Sequence, residues 1–135
     1  MHGNFSGKAV LIIDDDDEMA HAIACVMKNA GYRVRRACDG DEGLQMAAQE
    51  RPDLILLDFM MPVKNGFDVC HEIRQNPVLA DVPVLAVTAF GQDICETYDT
   101  AQKDVPMNIF DYLEKPVEPN VLLERVALAL ASVGS

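Results

Sequence analysis

The sequence predicts an α/β fold in which a five-stranded parallel sheet is covered by helices on both faces. Three observations predict it: short apolar runs alternate with stretches of helical period, the runs end abruptly at polar residues, and 135 residues suffice for one domain. Runs such as Ala9–Ile13 and Leu54–Leu57 lack the alternation of half-exposed strands. Such continuous apolar runs are typical of strands buried on both faces.

Apolar residues dominate four short segments, a fifth (Tyr32–Arg36) contains three arginines, and turn-forming or charged residues bound all five, so these five segments are interpreted as strands. They are Ala9–Ile13, Tyr32–Arg36, Leu54–Leu57, Val84–Val87 and Ile109–Leu113.

The intervening stretches repeat apolar residues at steps of three and four, as amphipathic helices do. Gly31 follows the first of these helices in the C-terminal cap position, and Asp39 is a candidate N-cap for the second. A third helix carries Val69, Cys70 and Ile73, and the last covers Val121–Leu130. The region from Gly91 to Asn108 is less regular, and we expect a helix followed by a loop at Pro106.

The composition is strongly acidic, with 22 acidic and 11 basic residues and a formal net charge of −11. Such a surface repels phosphate backbones and anionic lipids, so we expect neither nucleic-acid nor membrane binding. No apolar run approaches the ~20 residues of a membrane span. We interpret residues 1–7 as a flexible lead-in and residues 8–132 as one domain, and expect no output domain.

The four cysteines are scattered and form no CxxC pair, which argues against a zinc site or a disulfide framework. We expect Cys25 and Cys70, which have apolar neighbours, to be buried thiols, and the protein to be cytoplasmic.

Polar side chains follow four of the predicted strands at the point where each strand ends. They are Asp14 and Asp15, Asp58, Thr88 and Lys115. Because the carboxyl ends of parallel strands meet at one edge, these groups are expected to converge there.

Three carboxylates at ~5 Å repel one another by about 3 kcal/mol a pair, so the site must protonate, pair with Lys115 or bind a cation. Hard oxygen ligands favour Mg²⁺. Such an ion attracts phosphoryl oxygens, and Thr88 and Lys115 can stabilise the same anion. Asp58, at the end of a buried strand, is the carboxylate best placed to act as a nucleophile.

Each residue also has an ordinary interpretation. The acidic run 14–18 is, by itself, typical of a solvated helix start, and Thr88 and Lys115 could be structural or surface residues. An EF-hand is disfavoured, because Met19 and Cys25 occupy the positions that need Gly and Glu. The occurrence of all these groups at successive strand ends favours a functional site.

Four motifs in order along the chain resemble the receiver domain of two-component response regulators. They are LIIDDDD (11–17), DLILLDFMMPVKNG (53–66), VLAVTAF (84–90) and DYLEKP (111–116). The resemblance implies a flavodoxin-like, doubly wound (βα)5 fold with strand order 2-1-3-4-5.

The resemblance also implies a magnesium site, with Mn²⁺ as a substitute. Asp15 and Asp58 would bind the ion directly, Asp14 would bind it through water, and the backbone carbonyl of Met60 would be a further ligand.

By the same resemblance, Asp58 is the phosphoacceptor, and the phosphoryl group is held by Thr88, the backbone N–H of Ala89 and Lys115. Tyr112 matches the aromatic position that turns inward when the threonine moves toward the phosphate. The expected result is a population shift at the face made by the fourth helix, fifth strand and fifth helix.

The family implies a histidine kinase or a histidine phosphotransfer protein as the phosphodonor, and an unidentified protein as the downstream target. The family also includes a homodimer linked to phosphorylation as one possible assembly. The domain would not be an enzyme beyond catalysing its own phosphorylation and autodephosphorylation.

One feature departs from the compact form of the family, and a second bears on the lifetime of the acyl phosphate. Lys115 lies 27 residues after Thr88, a long interval that either drift or partner adaptation explains. Met60 and Phe90 would flank the phosphoryl group, and their bulk predicts slow hydrolysis of the acyl phosphate.

Two alternatives belong to other functional classes. A phosphatase resembling the haloacid-dehalogenase group would use Asp14 as nucleophile and Asp16 as acid/base, but Glu18 stands where Thr or Val is expected. An interaction module without chemistry would not need the complete set of acidic, Thr and Lys residues.

Overall fold

The computed structural model describes residues 6–59, 61, 65–88 and 109–132. The described strands are β1 (Ala9–Ile13), β2 (Arg33–Ala37), β3 (Leu54–Asp58), β4 (Val84–Thr88) and β5 (Asp111–Glu114). The described helices are α1 (Asp17–Asn29), α2 (Gly40–Gln49), α3 (Gly66–Gln75) and α4 (Pro119–Ala131). All five predicted strands are present, with bounds shifted by two residues or fewer. The helix and loop predicted between Gly91 and Asn108 lie outside the described residues.

The five strands form one parallel sheet in the order β2-β1-β3-β4-β5, as expected. The register aligns their carboxyl ends: Ile13 pairs with Ala37 and with Leu57, and Asp58 pairs with Val87. The residues that follow these positions therefore come out at a common edge, which we call the carboxyl rim.

Two core clusters lie on opposite faces of the sheet. Leu11, Ile13 and other residues of the strands pack with α2 and α3, whereas Val10 and Ile12 and their neighbours pack with α1 and α4. Successive side chains of a strand point to opposite faces, so both faces need apolar residues. This arrangement explains the uninterrupted apolar runs of β1, β3 and β4.

Side-chain oxygens at the N-caps satisfy the first free N–H groups of the helices. Asp16 accepts from the backbone N–H of Met19 at 3.1 Å, and Asp39, as predicted, accepts from that of Glu42 at 2.8 Å. Gly31 follows the cap residue of α1 with a φ of 98°, a conformation that favours glycine. The predicted end of the first helix is thereby confirmed.

One of the two predictions for buried cysteines is wrong. Cys70 is buried, but Cys25 is exposed. The buried residues of α1 include Ile23 and Met27, and Cys25 lies midway between them in sequence, which places it on the opposite side of the helix. Its apolar sequence neighbours are therefore not its neighbours in space.

The longest described helices, α1 and α4, have 13 residues each. Within the described ranges, no helix combines the length and the hydropathy needed to cross a bilayer.

Candidate functional site

Three carboxylates meet at the carboxyl rim. Oxygens of Asp14, Asp15 and Asp58 all lie within 4.8 Å of one another. Asp14 follows β1, and Asp58 is the last residue of the adjacent strand β3. Because Ile13 and Leu57 are paired, the register brings the two aspartates side by side. Asp14 is 2% exposed and Asp58 is 5% exposed, whereas Asp15 is open to solvent. The cluster thus has two buried carboxylates and one that faces the solvent.

Lys115 reaches this cluster from the residue after β5. Its Nζ lies 3.3 Å from Oδ2 of Asp14 and 3.5 Å from Oδ2 of Asp58. Burial, the largest single influence, lowers the pKa of Lys115, but the charges of Asp14, Asp58 and Asp16 and a hydrogen bond to Asp14 together outweigh it and raise the pKa above its ordinary value. The ammonium therefore stays charged and partly offsets the repulsion among the carboxylates.

Thr88 is the last residue of β4 and is fully buried. Its strand lies between β3, which carries Asp58, and β5, which precedes Lys115. The pairing of Asp58 with Val87 puts Thr88 one residue further along the neighbouring strand. The register thus places Thr88 at the carboxyl rim, on the strand next to the one that carries Asp58.

The acidic run 14–18 serves two purposes. Oδ1 of Asp14 accepts from the backbone N–H of Asp16 at 2.9 Å, while the Asp16 side chain caps α1. Asp17 and Glu18 form the first turn of α1. The run is therefore a helix start, as the ordinary interpretation holds, and its first two residues also belong to the carboxylate cluster.

Arg36 of β2 contacts this run and was not among the residues predicted for the site. Its guanidinium donates to the carbonyl oxygen of Asp14 and pairs with the carboxylate of Asp17. The only signal in the sequence is a basic residue near the end of the strand after the acidic run, and that pattern is also typical of solvent-exposed arginines.

The donor set fits a hard divalent cation. Three carboxylates within ligand distance of one another supply the oxygens that Mg²⁺ and Mn²⁺ prefer, and the exposure of Asp15 leaves a path for water and ligand. Met60, the predicted carbonyl ligand, lies outside the described residues, as do Ala89 and Phe90.

Tyr112 lies on β5 and is half-buried against the core cluster of α2 and α3. It pairs in register with Ala86, two residues before Thr88 on β4. Positions two apart in a strand share a face. Tyr112 and Thr88 are therefore on the same face of neighbouring strands.

Comparison with known proteins identifies the family. The sequence model described as "Response regulator receiver domain" matches residues 10–127. The chain belongs to this family: it is a receiver domain of two-component response regulators. The predicted order 2-1-3-4-5 is the one observed, and membership decides against the phosphatase alternative.

Curated relatives agree with this assignment. The receiver is 40% identical over 123 residues to the DNA-binding dual master transcriptional regulator RpaA of Synechocystis sp., a match that covers 90% of this chain and 48% of RpaA. It is 30% identical over 122 residues to Protein PilH of Pseudomonas aeruginosa, which covers 90% of this chain and 97% of PilH. The chain spans about half the length of the first curated relatives it matches.

Solved structures agree as well. The receiver superposes with a TM-score of 0.82 on a putative response regulator from Chloroflexus aurantiacus, at 37% identity, covering 93% of this chain and 99% of the other. A chemotaxis protein from Vibrio cholerae gives a TM-score of 0.80 at 27% identity, covering 92% of this chain and 99% of the other.

Proposed function

We propose that this receiver accepts a phosphoryl group on Asp58 from the phosphohistidine of a histidine kinase or a histidine phosphotransfer protein. The observation that carries the proposal is the convergence of three carboxylates and one ammonium at the carboxyl rim. Asp58 ends a fully buried strand, so its carboxylate is held on a rigid element. Family membership supplies the class of donor.

In the transfer step, a carboxylate oxygen of Asp58 forms a bond to phosphorus and the P–N bond of the phosphohistidine breaks. The departing imidazole nitrogen keeps the electron pair and takes up a proton from solvent. The product is an acyl phosphate on Asp58, and the donor histidine is regenerated as neutral imidazole.

Asp14, Asp15 and Asp58 would hold Mg²⁺, with Asp15 as a direct ligand and Asp14 acting through water. When bound, the ion supplies positive charge that offsets the phosphoryl oxygens. Lys115 neutralises a further phosphoryl oxygen, since its ammonium is within 3.5 Å of the acceptor carboxylate. The Thr88 hydroxyl and the Ala89 amide would donate to the remaining oxygens, as the family pattern implies.

The phosphorylated state would act through Thr88 and Tyr112. Movement of Thr88 toward the phosphoryl group frees space on the face that it shares with Tyr112. An inward turn of the tyrosine changes the surface around β5 and α4, which is the helix predicted from the sequence as the fifth. A downstream protein would bind at this surface. To drive such a switch from 1:99 to 99:1, phosphorylation must favour the second packing by about 5.5 kcal/mol.

The proposal is tested by treating the protein with acetyl phosphate and Mg²⁺ and locating the adduct by mass spectrometry. Wild type should gain one phosphoryl group on Asp58, and Asp58→Asn should gain none. Asp68→Asn is the matched control, because Asp68 is an exposed aspartate in the first turn of α3. An adduct on Asp14 rather than Asp58, or steady turnover of phosphate esters, would contradict the proposal.

A further inference from the structure

Arg36 forms three contacts with the loop that carries Asp14 and Asp15. Its Nη2 and Nε donate to the carbonyl oxygen of Asp14 at 2.8 and 3.2 Å, and its Nη1 lies 2.7 Å from Oδ1 of Asp17. One guanidinium therefore binds both ends of the short segment that joins β1 to α1.

These contacts fix the peptide unit between Asp14 and Asp15. The N–H of Asp14 donates to the carbonyl of Ala37 at 3.1 Å, so both backbone polar groups of Asp14 are held by β2. The carbonyl of Asp14 shares a rigid plane with the nitrogen of Asp15. Because the Asp15 side chain is exposed, core packing does not hold it, and the orientation of this plane decides where its carboxylate begins.

The acidic residues of the run 14–18 have different partners, and Arg36 provides one of them. It pairs with Asp17, and Asp16 caps α1 through the N–H of Met19. Asp14 and Asp15 then remain for the cluster with Asp58. Without the guanidinium, the carbonyl of Asp14 would lose its donors from Arg36, and the carboxylate of Asp17 would lose its pairing with Arg36.

We propose that Arg36 is a positioning residue that sets the Asp14–Asp15 segment for binding a divalent cation. The inference rests on the proposed function only in assuming that this cluster takes such an ion, and it does not require phosphorylation to occur.

Charge and positioning predict opposite results for Arg36, which makes the two roles separable. A guanidinium repels a cation, so a purely electrostatic role predicts tighter binding when Arg36 is replaced by alanine and no change when it is replaced by lysine. Positioning predicts weaker binding in both variants, because lysine cannot reproduce the planar fork that binds carbonyl and carboxylate together.

The experiment measures Mn²⁺ affinity from the electron paramagnetic resonance signal of the free ion, which needs neither phosphodonor nor turnover. We expect Arg36→Lys and Arg36→Ala to bind Mn²⁺ about 10-fold more weakly than wild type, the usual cost of losing a residue that orients metal ligands. Circular dichroism establishes that each variant is folded, and Arg36→Lys carries the test if the alanine variant is not.

Arg35 offers a matched control on the same strand. It donates to the carbonyls of Met46 at 3.3 Å and Glu50 at 2.7 Å, so it makes the same kind of contact, but to α2 rather than to the rim. Arg35→Ala should lose stability and keep wild-type Mn²⁺ affinity. Tighter binding in Arg36→Ala, unchanged binding in Arg36→Lys, or an equal loss in Arg35→Ala would each overturn the inference. Failure of Asp58 to become phosphorylated would instead overturn the proposed function alone.

Discussion

The backbone N–H of Lys115 donates to the carbonyl oxygen of Thr88 at 2.7 Å. This bond continues the parallel ladder one step beyond the pair formed by Thr88 and Glu114. The main chain of Lys115 is therefore attached to the sheet at the rim, although the residue follows the last strand. Its ammonium reaches Asp14 and Asp58 from a position that the sheet determines.

Replacing Lys115 with methionine should change how much magnesium stabilises the fold. In metal-free protein, the carboxylates lose their nearby cation, and the free energy of unfolding should fall by about 1–3 kcal/mol, less than for a fully buried pair. Mg²⁺ should bind more tightly because the ammonium no longer repels it. Urea denaturation with EDTA and with Mg²⁺ measures both effects. Lys28→Met, on the exposed surface of α1, is the control, and a smaller magnesium effect in Lys115→Met than in wild type would contradict this prediction.

Alkaline pH should destabilise the fold partly through Cys70. Burial raises the pKa of its thiol from 9.0 to about 11, against a smaller lowering by Arg74. As the pH rises, the unfolded chain therefore loses this proton before the folded protein does. The contribution of the thiol to the free energy of unfolding is complete below pH 9.0 and declines by about 3 kcal/mol toward pH 11.

Urea denaturation of wild type and Cys70→Ala across this range isolates the thiol. The alanine variant should start less stable and lose stability less steeply. Tyr32 and Lys115, whose pKa values are also raised, account for a remaining decline in both proteins. Parallel curves for the two proteins would rule out the thiol as a contributor.

Adding a methyl group at Gly66 should cost more stability than adding one at Gly43. A Cβ at Gly66 would overlap the ring of Phe59 and lie 2.7 Å from its Cα, whereas the three atoms nearest to a Cβ at Gly43 all belong to the Ile13 side chain. Backbone cannot yield as a side-chain end can, so we expect about 1–3 kcal/mol for Gly66→Ala. Equilibrium denaturation of both variants gives the order, and a costlier Gly43→Ala would refute it.

Thiol labelling should distinguish the cysteines by exposure. Of the three cysteines that the structure describes, Cys25 and Cys38 are exposed and Cys70 is buried, so a maleimide should modify the first two rapidly and Cys70 slowly in the native protein. Peptide mapping by mass spectrometry at successive times measures the three rates separately. Equal rates in native protein would show that α3 opens readily.

The sequence predicts the central strands well, because a strand that is buried on both faces is an uninterrupted run of apolar residues. The edge of the sheet is harder. For β5 the prediction starts at Ile109, whereas the strand begins at Asp111. Phe110 is 40% exposed, and Asp111 pairs with Arg125 at 2.6 Å, so apolar character does not mark burial at this edge. This ion pair depends on where α4, which carries Arg125, lies against the sheet, and the local sequence pattern does not reveal that position.

The same contrast holds at the site. Asp14, Asp58 and Lys115 can be found from sequence because strand ends define the rim, and the structure brings them together. Arg36 cannot be found this way, since an arginine on an edge strand has many available partners. Its contact with Asp14 follows from the position of β2 beside β1 and from the side-chain conformation, and both need the assembled fold.

The sheet also separates the two core clusters, which have no member in common among the residues that the structure describes. Among the described residues, a change in the volume of a side chain on one face is felt first by its neighbours on that face, and it reaches the other face through the shared strands. The helices on each side can therefore diverge separately while the strands keep their register.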